Sequence, residues 1–372
     1  MHQLRPEHRL RGLKADTSSR VAGKDIRVDV LLNSPGPHDQ VRIRDPYQGL
    51  QRLGLDCRIH ERPFVFSQCI RQDSIVVWQR PLPESRSRML EHLQWLRQRG
   101  CLLLIDWDDH PDLFPQSVRS ALASMEMAPL RYCHGILTSS AWLASCLGQY
   151  NPLVISVDNG FNQIPMLNLN KQLRDCSGEK PLRVMVGNLN RGSEHHQILP
   201  ALLQWLHEDP YVQIVVVADQ QLINALPWKR VEAHDLLPYA SFRRLLQSCE
   251  LALLPLANNE ANRCKTVIKW QECAAESVAV VGGPALYSKT LAAHAGVWVT
   301  QLSEIVPAAR HLANNAVQRC QIVCAAQKEL RRNWVLQDSA PWHLWLLGHL
   351  WGRRKPIDAF TSRRLGLETS QP

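Results

Sequence analysis

The sequence contains no Cys-x-x-Cys pair, although its 11 cysteines lie along the whole chain, several of them in apolar runs, as at Cys101, Cys249 and Cys273. That distribution excludes a zinc ribbon or finger. Cys320 and Cys324 share a helix face, but no second pair completes a metal site. The cysteines read as reduced thiols serving as small core residues, which places the chain in the cytoplasm. No run of about 18 apolar residues exists, so no helix is expected to span a membrane. The opening stretch MHQLRPEHRLRGLKADTSSR lacks an apolar segment. Residues 1–24 therefore read as a loose basic tail and not as a secretory signal. No repeat with a period of about 20–50 residues recurs, which excludes a solenoid. The basic residues are dispersed and form no basic-and-aromatic pattern, so nucleic acid is not the expected partner.

What is present is an excess of positive charge and a regular rhythm. The 43 Lys and Arg against 34 Asp and Glu give a formal net charge of +9, a balance that suits an anionic partner such as nucleotide phosphates or an anionic membrane surface. At 372 residues the chain is long enough for two domains. From Ile26, short β-rich runs alternate with helical patterns: IRVDVLLN, LDCRIHE, SIVVWQR, CLLLIDW, GILTSS and LVISVDNG are six strands. Continuous apolar runs of this kind suit strands buried on both faces of a parallel sheet. Residues 25–165 form a first α/β domain, 166–180 a linker that breaks the rhythm, and 181–335 a second α/β domain. That domain contains PLRVMVGN, VQIVVVAD, KRVEAHD, LALLPL, VAVVGG and VWVT, then one long helix over 303–330. Residues 336–355 are a Trp- and Leu-rich helix, and 356–372 a loose tail.

In open parallel sheets, ligands sit beyond the carboxyl ends of the strands, and the chemistry-bearing residues of this chain cluster there. Gly36, in SPGPHDQ, permits close backbone approach to a ligand. Asp106, Asp108, Asp109 and His110 follow a buried strand. They suit sugar hydroxyls or proton transfer, although Asp109 also fits a helix N-cap before Pro111. VDNGFN, with Asn159 and Gly160, suits a tight turn. Gly187, Asn188 and Arg191 lie in GNLNRGSEHH, where a cation precedes a helix start. His195 and His196 point about 100° apart in a helix and read as solvated side chains. The stretch PLANNEANRCKTVIKWQECAAESVAVVGG joins two strands through a polar loop carrying Arg263, Lys265 and Thr266. A helix over 266–276 with Glu272 follows, and the N–H groups at 265–268 are placed to cradle a diphosphate.

Three stretches, GNLNR, LLPYASFRRLLQSCELALLPL and NRCKTVIKWQECAAESVAVVGGPALY, resemble the donor half of retaining GT-B-fold glycosyltransferases, the group that shares the family-one glycosyl-transferase domain. LTSSAWLASCL followed by VDNGFN resembles the segment that enters the linker, so the similarity spans roughly Ile26 to Leu330. The resemblance implies two Rossmann-like doubly wound parallel-sheet domains facing a cleft, the first for the acceptor and the second for the donor. It implies hexosyl transfer with retention from a UDP-, GDP- or other nucleoside diphosphate-sugar to a glycan or lipid-linked acceptor, with no obligatory cofactor or metal. By position, Arg191 is expected on the diphosphate and Glu272 on the donor ribose. Cys264 stands where the pattern has a first Glu, and no Lys or Arg occurs over 192–198, a role open to Lys265 or Arg263. Arg191 and Lys265 would neutralise the leaving diphosphate, and Asp109 or His110 would take the acceptor proton. The resemblance also implies that the 336–355 helix crosses back to the first domain. An alternative lays that helix against an anionic bilayer through Arg353, Arg354 and Lys355. Two other functions fit the same fold: a binding or scaffold protein without catalysis, and a nucleotide-sugar epimerase.

Overall fold

A computed structural model describes residues 26–33, 35–174, 180–186 and 192–367. The chain divides into two compact units. The first comprises the chain up to Pro35, Ile43–Asp158 and everything from Gln337 on. The second comprises Gly36–Arg42 and Asn159–Leu336.

The first unit is built on six parallel strands: β1 (Arg27–Leu32), β2 (Asp56–Glu61), β3 (Ile75–Gln79), β4 (Leu102–Asp106), β5 (Gly135–Thr138) and β6 (Val154–Ser156). Their order in the sheet is β2-β1-β3-β4-β5-β6. β3 and β4 are buried along their whole length, which is why both read as unbroken apolar runs. One face packs Val28, Val30, Ile75, Val77 and Leu104 against Tyr47, Leu346, Leu347 and Leu350. The helix Arg86–Gln98 starts at a Ser85 cap, and Gly100 just beyond its end has φ +70°. That backbone conformation favours glycine at a helix exit.

Of the expected loose tail over 356–372, the part up to Leu365 is helical, and residues 368–372 lie outside the described residues. That part belongs to the helix Arg354–Leu365. Its Asp358 accepts from Arg97 Nε at 2.6 Å and lies 3.0 Å from His134 Nε2, and Ser362 Oγ accepts from Arg97 Nη2 at 2.5 Å. His134 Nδ1 accepts from the Leu103 N–H at 2.8 Å, so the buried ring is the neutral tautomer with its proton on Nε2. Burial raises the Asp358 pKa, but the hydrogen bonds from His134 and Arg97 outweigh it and hold the carboxyl at about 2. Local composition shows only a charged segment. What orders it is a set of partners more than 220 residues earlier in the chain.

The second unit also has six parallel strands: β7 (Leu182–Val186), β8 (Val212–Val217), β9 (Val231–His234), β10 (Leu251–Leu254), β11 (Ala279–Gly282) and β12 (Val297–Trp298). The order is β12-β11-β10-β7-β8-β9. Alternate residues of each strand feed opposite faces. Val184, Val186, Ile214, Leu251 and Leu253 pack with Trp205 and Ile305. Met185, Val215, Ala252 and Leu254 pack with Trp270, Ala274 and Leu330.

Two expectations need correction here. Part of the 166–180 linker is the helix Leu169–Leu173, whose buried Gln172 donates to Glu250 O at 3.0 Å and Ser277 O at 2.8 Å. Arg319, also buried, donates to Gln172 O at 2.8 Å. The Leu169–Leu173 helix is therefore docked against the second unit's strands β10 and β11 at their starts, while 175–179 lie outside the described residues. The long helix over 303–330 is broken into Ile305–Ala313 and Ala316–Asn333, because the Asn315 side chain caps the second by accepting from Gln318 N. Asn is favoured at caps for this bond.

Candidate functional site

In the second unit the strand order reverses between β7 and β10, and open parallel sheets bind ligands beyond the carboxyl ends of the strands at such a switch. The loop after β10 supplies most of the polar groups there. Asn259 caps the short helix Glu260–Arg263 through the Asn262 N–H. Asn262, itself buried, donates through Nδ2 to Glu194 Oε1 at 2.9 Å and to Ala257 O at 2.9 Å. Glu194 Oε2 accepts from Ser193 Oγ at 2.7 Å. Glu194 lies in the first turn of the helix Gly192–Glu208, where a carboxylate is favoured by the helix dipole. The loop after β10 is thus tied to the helix that follows β7.

Beside it, His195 Nδ1 lies 2.8 Å from Asp219 Oδ2, both nearly buried, with Asp219 just past β8. His195 is therefore a structural partner of the β8 loop and not the solvated helix side chain expected from the sequence. Periodicity does not show this, because the partner lies on another strand.

The predicted donor residues fall into two groups. Arg263 Nε donates to Asn258 Oδ1 at 3.0 Å, and the Lys265 N–H closes a turn on Asn262 O at 3.2 Å. The Lys265 amide is accordingly spent within the loop. The helix begins only at Ile268, so Thr266 belongs to the loop. Thr266 Oγ1 accepts from Asn159 Nδ2 at 3.3 Å, and Asn159 Oδ1 accepts from Arg42 Nη1 at 3.5 Å. This chain of contacts brings the Gly36 loop to Thr266. Gly36–Arg42 belongs to the second unit although it follows β1, and its geometry is set by buried Asp39, which accepts from the Gly36 N–H at 2.7 Å. Asn159 and Arg42 carry this junction. Asn159 reads from sequence only as a turn residue, and Arg42 only as one charge of a helical pattern.

Glu272 lies deeper in the helix Ile268–Ala275. It is 3% exposed, and its Oε2 accepts from Lys269 Nζ at 3.0 Å. Lys269 also covers the Phe242 ring at 4.8 Å. Cys264 is buried. Gly283, in the turn after β11, is needed for close approach: a Cβ there would lie 2.5 Å from the Leu256 nitrogen. Gly187, Asn188 and Arg191 lie outside the described residues.

In the first unit, the acidic loop after β4 is held by Arg80, which directly follows β3. Arg80 donates to Asp108 Oδ1 at 2.5 Å and Asp109 Oδ2 at 2.9 Å, and its guanidinium covers Phe114 at 5.2 Å. Burial disfavours the Arg80 charge, but Asp108 and Asp109 overcome it and raise its pKa. The helix cap before Pro111 is His110, whose Nδ1 accepts from the Asp112 N–H at 3.3 Å, and not Asp109. Asp109 is instead an anchored partner of an arginine 29 positions earlier in the chain.

Among the described residues, no helix is long and apolar enough to cross a membrane. No family model matches the chain, and no curated protein matches it by sequence. Solved structures do match it in shape. Anabaena HepE in complex with UDP-glucose has a TM-score of 0.58 at 15% identity, covering 86% of this chain and 100% of that one. An S. aureus TarM mutant in complex with fondaparinux, alpha-GlcNAc-glycerol and UDP has a TM-score of 0.54 at 10% identity, covering 75% and 56%. A UDP-forming trehalose-phosphate synthase from Burkholderia xenovorans has a TM-score of 0.53 at 12% identity, covering 83% and 78%. The fold is thus GT-B, with two Rossmann-like α/β units.

Proposed function

We propose that the protein transfers a hexosyl group from a nucleoside diphosphate-sugar, with a UDP-sugar as the first donor to test, to a hydroxyl of a glycan or lipid-linked acceptor, with retention. The observation that carries this reading is the switch in strand order between β7 and β10 and the polar loop that follows β10. There a loop bearing Arg263, Lys265 and Thr266 meets the Gly36–Arg42 segment through Asn159, on a fold that HepE uses in complex with UDP-glucose. Two cations and a hydroxyl in one loop suit a diphosphate. Arg263 and Lys265, with Arg191 from the loop after β7, would balance the charge that grows on the departing nucleoside diphosphate. Glu272 would accept the ribose hydroxyls once Lys269 gives way. His110 would take the acceptor proton in preference to Asp109, whose carboxylate is committed to Arg80.

The test is UDP release from a panel of UDP-sugars by the full-length protein. Lys265→Ala and Glu272→Gln are expected to lower kcat/KM by roughly 100-fold, and unchanged turnover in both would overturn the site assignment. A second reading, binding without transfer, has its own support: Cys264 is buried where the related pattern has a carboxylate, and Glu272 is already ion-paired. Calorimetry showing UDP-sugar bound but no UDP released would select it.

A further inference from the structure

The first unit holds a cavity of about 750 Å³ that none of the acidic-loop residues line. It lies beside the carboxyl ends of β1 and β3, with Asn33 just past β1 and Trp78 near the end of β3. β1 and β3 are the neighbours between which this sheet reverses its order, the place where open α/β sheets bind ligands. The volume is that of small-ligand sites, about 300–1,000 Å³.

Its walls are aromatic. Phe66 stands edge-on to Trp78 with centroids 4.9 Å apart and packs on His92 at 4.3 Å; Phe64 stacks on Phe66 at 6.0 Å. Trp95 completes the wall 6.2 Å from Phe66, steadied by Arg99 over its ring at 4.7 Å. Phe64, Phe66, His92 and Trp95 are only half-buried. Trp78 is buried, and its Nε1 has no hydrogen-bond partner among the described residues. A buried indole N–H without an acceptor is costly and uncommon. Both signs of charge line the same cavity: Arg62 and Arg88, Glu84 and Glu91, with Arg88 donating to Glu91 at 2.8 Å.

We propose that this cavity is a carbohydrate-binding subsite, holding sugar rings of the acceptor glycan. A pyranose has apolar C–H faces that lie flat on aromatic rings and hydroxyls that both donate and accept. Aromatic walls, carboxylate acceptors, guanidinium donors and a waiting indole N–H match those groups together. A phosphate group would meet Glu84 and Glu91 at the rim. A bare alkyl chain would offer no acceptor to Trp78 Nε1 and no hydrogen-bonding group to the charged side chains of the wall. The proposal rests on the glycosyl-transfer reading only for calling the sugar an acceptor.

The experiment is calorimetry of the full-length protein with maltose, cellobiose, lactose and diacetylchitobiose, run beside UDP. At least one disaccharide is expected to bind saturably. Trp95→Ala is expected to weaken it by about tenfold, the scale of one aromatic contact together with its buried area. Glu84→Gln, an exposed change that spares the packing, is expected to weaken it about threefold, the scale of one ordinary solvent-exposed hydrogen bond. UDP affinity should not move in either variant. Absence of binding by all four disaccharides, binding indifferent to both substitutions, or displacement of the sugar by dodecyl phosphate would each overturn the proposal. Sugar binding without UDP release would keep this subsite and overturn the transfer reading, so the two fail separately.

Discussion

The two units carry the same number of parallel strands but reverse direction at different places, between β1 and β3 in one and between β7 and β10 in the other. What surrounds each reversal differs in kind. At β7 and β10 it is a hydrogen-bonded polar set, Glu194, Asn262, Asn159 and Thr266, with Arg263 and Lys265 in the same loop. At β1 and β3 it is a cage of aromatic rings. One sheet surrounds its switch with polar and charged groups, and the other with the faces and edges of aromatic rings. The acidic loop after β4, the most conspicuous polar cluster of the first unit, stands apart from this comparison. Its carboxylates are used up in holding Arg80.

That claim about the acidic loop gives the largest expected effect. Arg80→Ala would leave two carboxylates clustered and largely buried without their cation, and should cost about 3 kcal/mol in urea unfolding. An unchanged midpoint would show that Asp108 and Asp109 are open to a ligand after all. Next is the pH response of the first unit. Burial lowers the His134 pKa below 6.5 despite its bond to Asp358, so the unfolded chain binds the extra proton first and stability falls as pH drops below 6.5. Asp358, held at about 2 against 3.8, stabilises the fold above about pH 4 and loses that contribution as pH falls from 3.8 towards 2. The Asp358 part is on the order of 2 kcal/mol. Thermal melts of Asp358→Asn should show a lower Tm at neutral pH and a flatter loss in acid. A parallel acid profile in the variant would sink this assignment.

A change in the second unit sharpens the contrast, because its loop at β10 is held to a carboxylate by an amide and not by an arginine. Asn262→Ala should cost about 1–2 kcal/mol, most of it from leaving buried Glu194 short of a donor. It should also weaken UDP binding while leaving disaccharide binding unchanged, a split that titration with each ligand reads directly. The smallest effect is expected at Asn315→Ala, about 1 kcal/mol for a lost helix cap. No change in either ligand's affinity should accompany it.

Much of the architecture was legible because it is local. The apolar runs at 102–105 and 251–254 had to be strands covered on both faces, and both are. The polar loop with Arg263, Lys265 and Thr266 stood out because it interrupts two such runs. What was not legible depends on partners far along the chain. Arg80 reads as an ordinary residue after a strand until its φ of +42° and its two carboxylates are seen. His195 looks like a surface residue until Asp219 is placed beside it. The aromatic cage draws Phe64 and Phe66, Trp78, and His92 and Trp95 from three separate segments. No spacing rule connects them.

Sequence alone determined that this chain alternates strands and helices, builds two α/β units and carries a polar loop with Arg263 and Lys265 after LALLPL. Those properties follow from hydrophobic periodicity and turn chemistry, which act over a few residues. Tertiary structure alone decided the strand order of each sheet, the membership of Gly36–Arg42 in the second unit and the helix over Arg354–Leu365. It also decided which carboxylates are bound to arginine. The reason is that pairing and burial are settled by whichever groups meet after the chain has crossed between units, and a sequence read along its length does not contain that meeting.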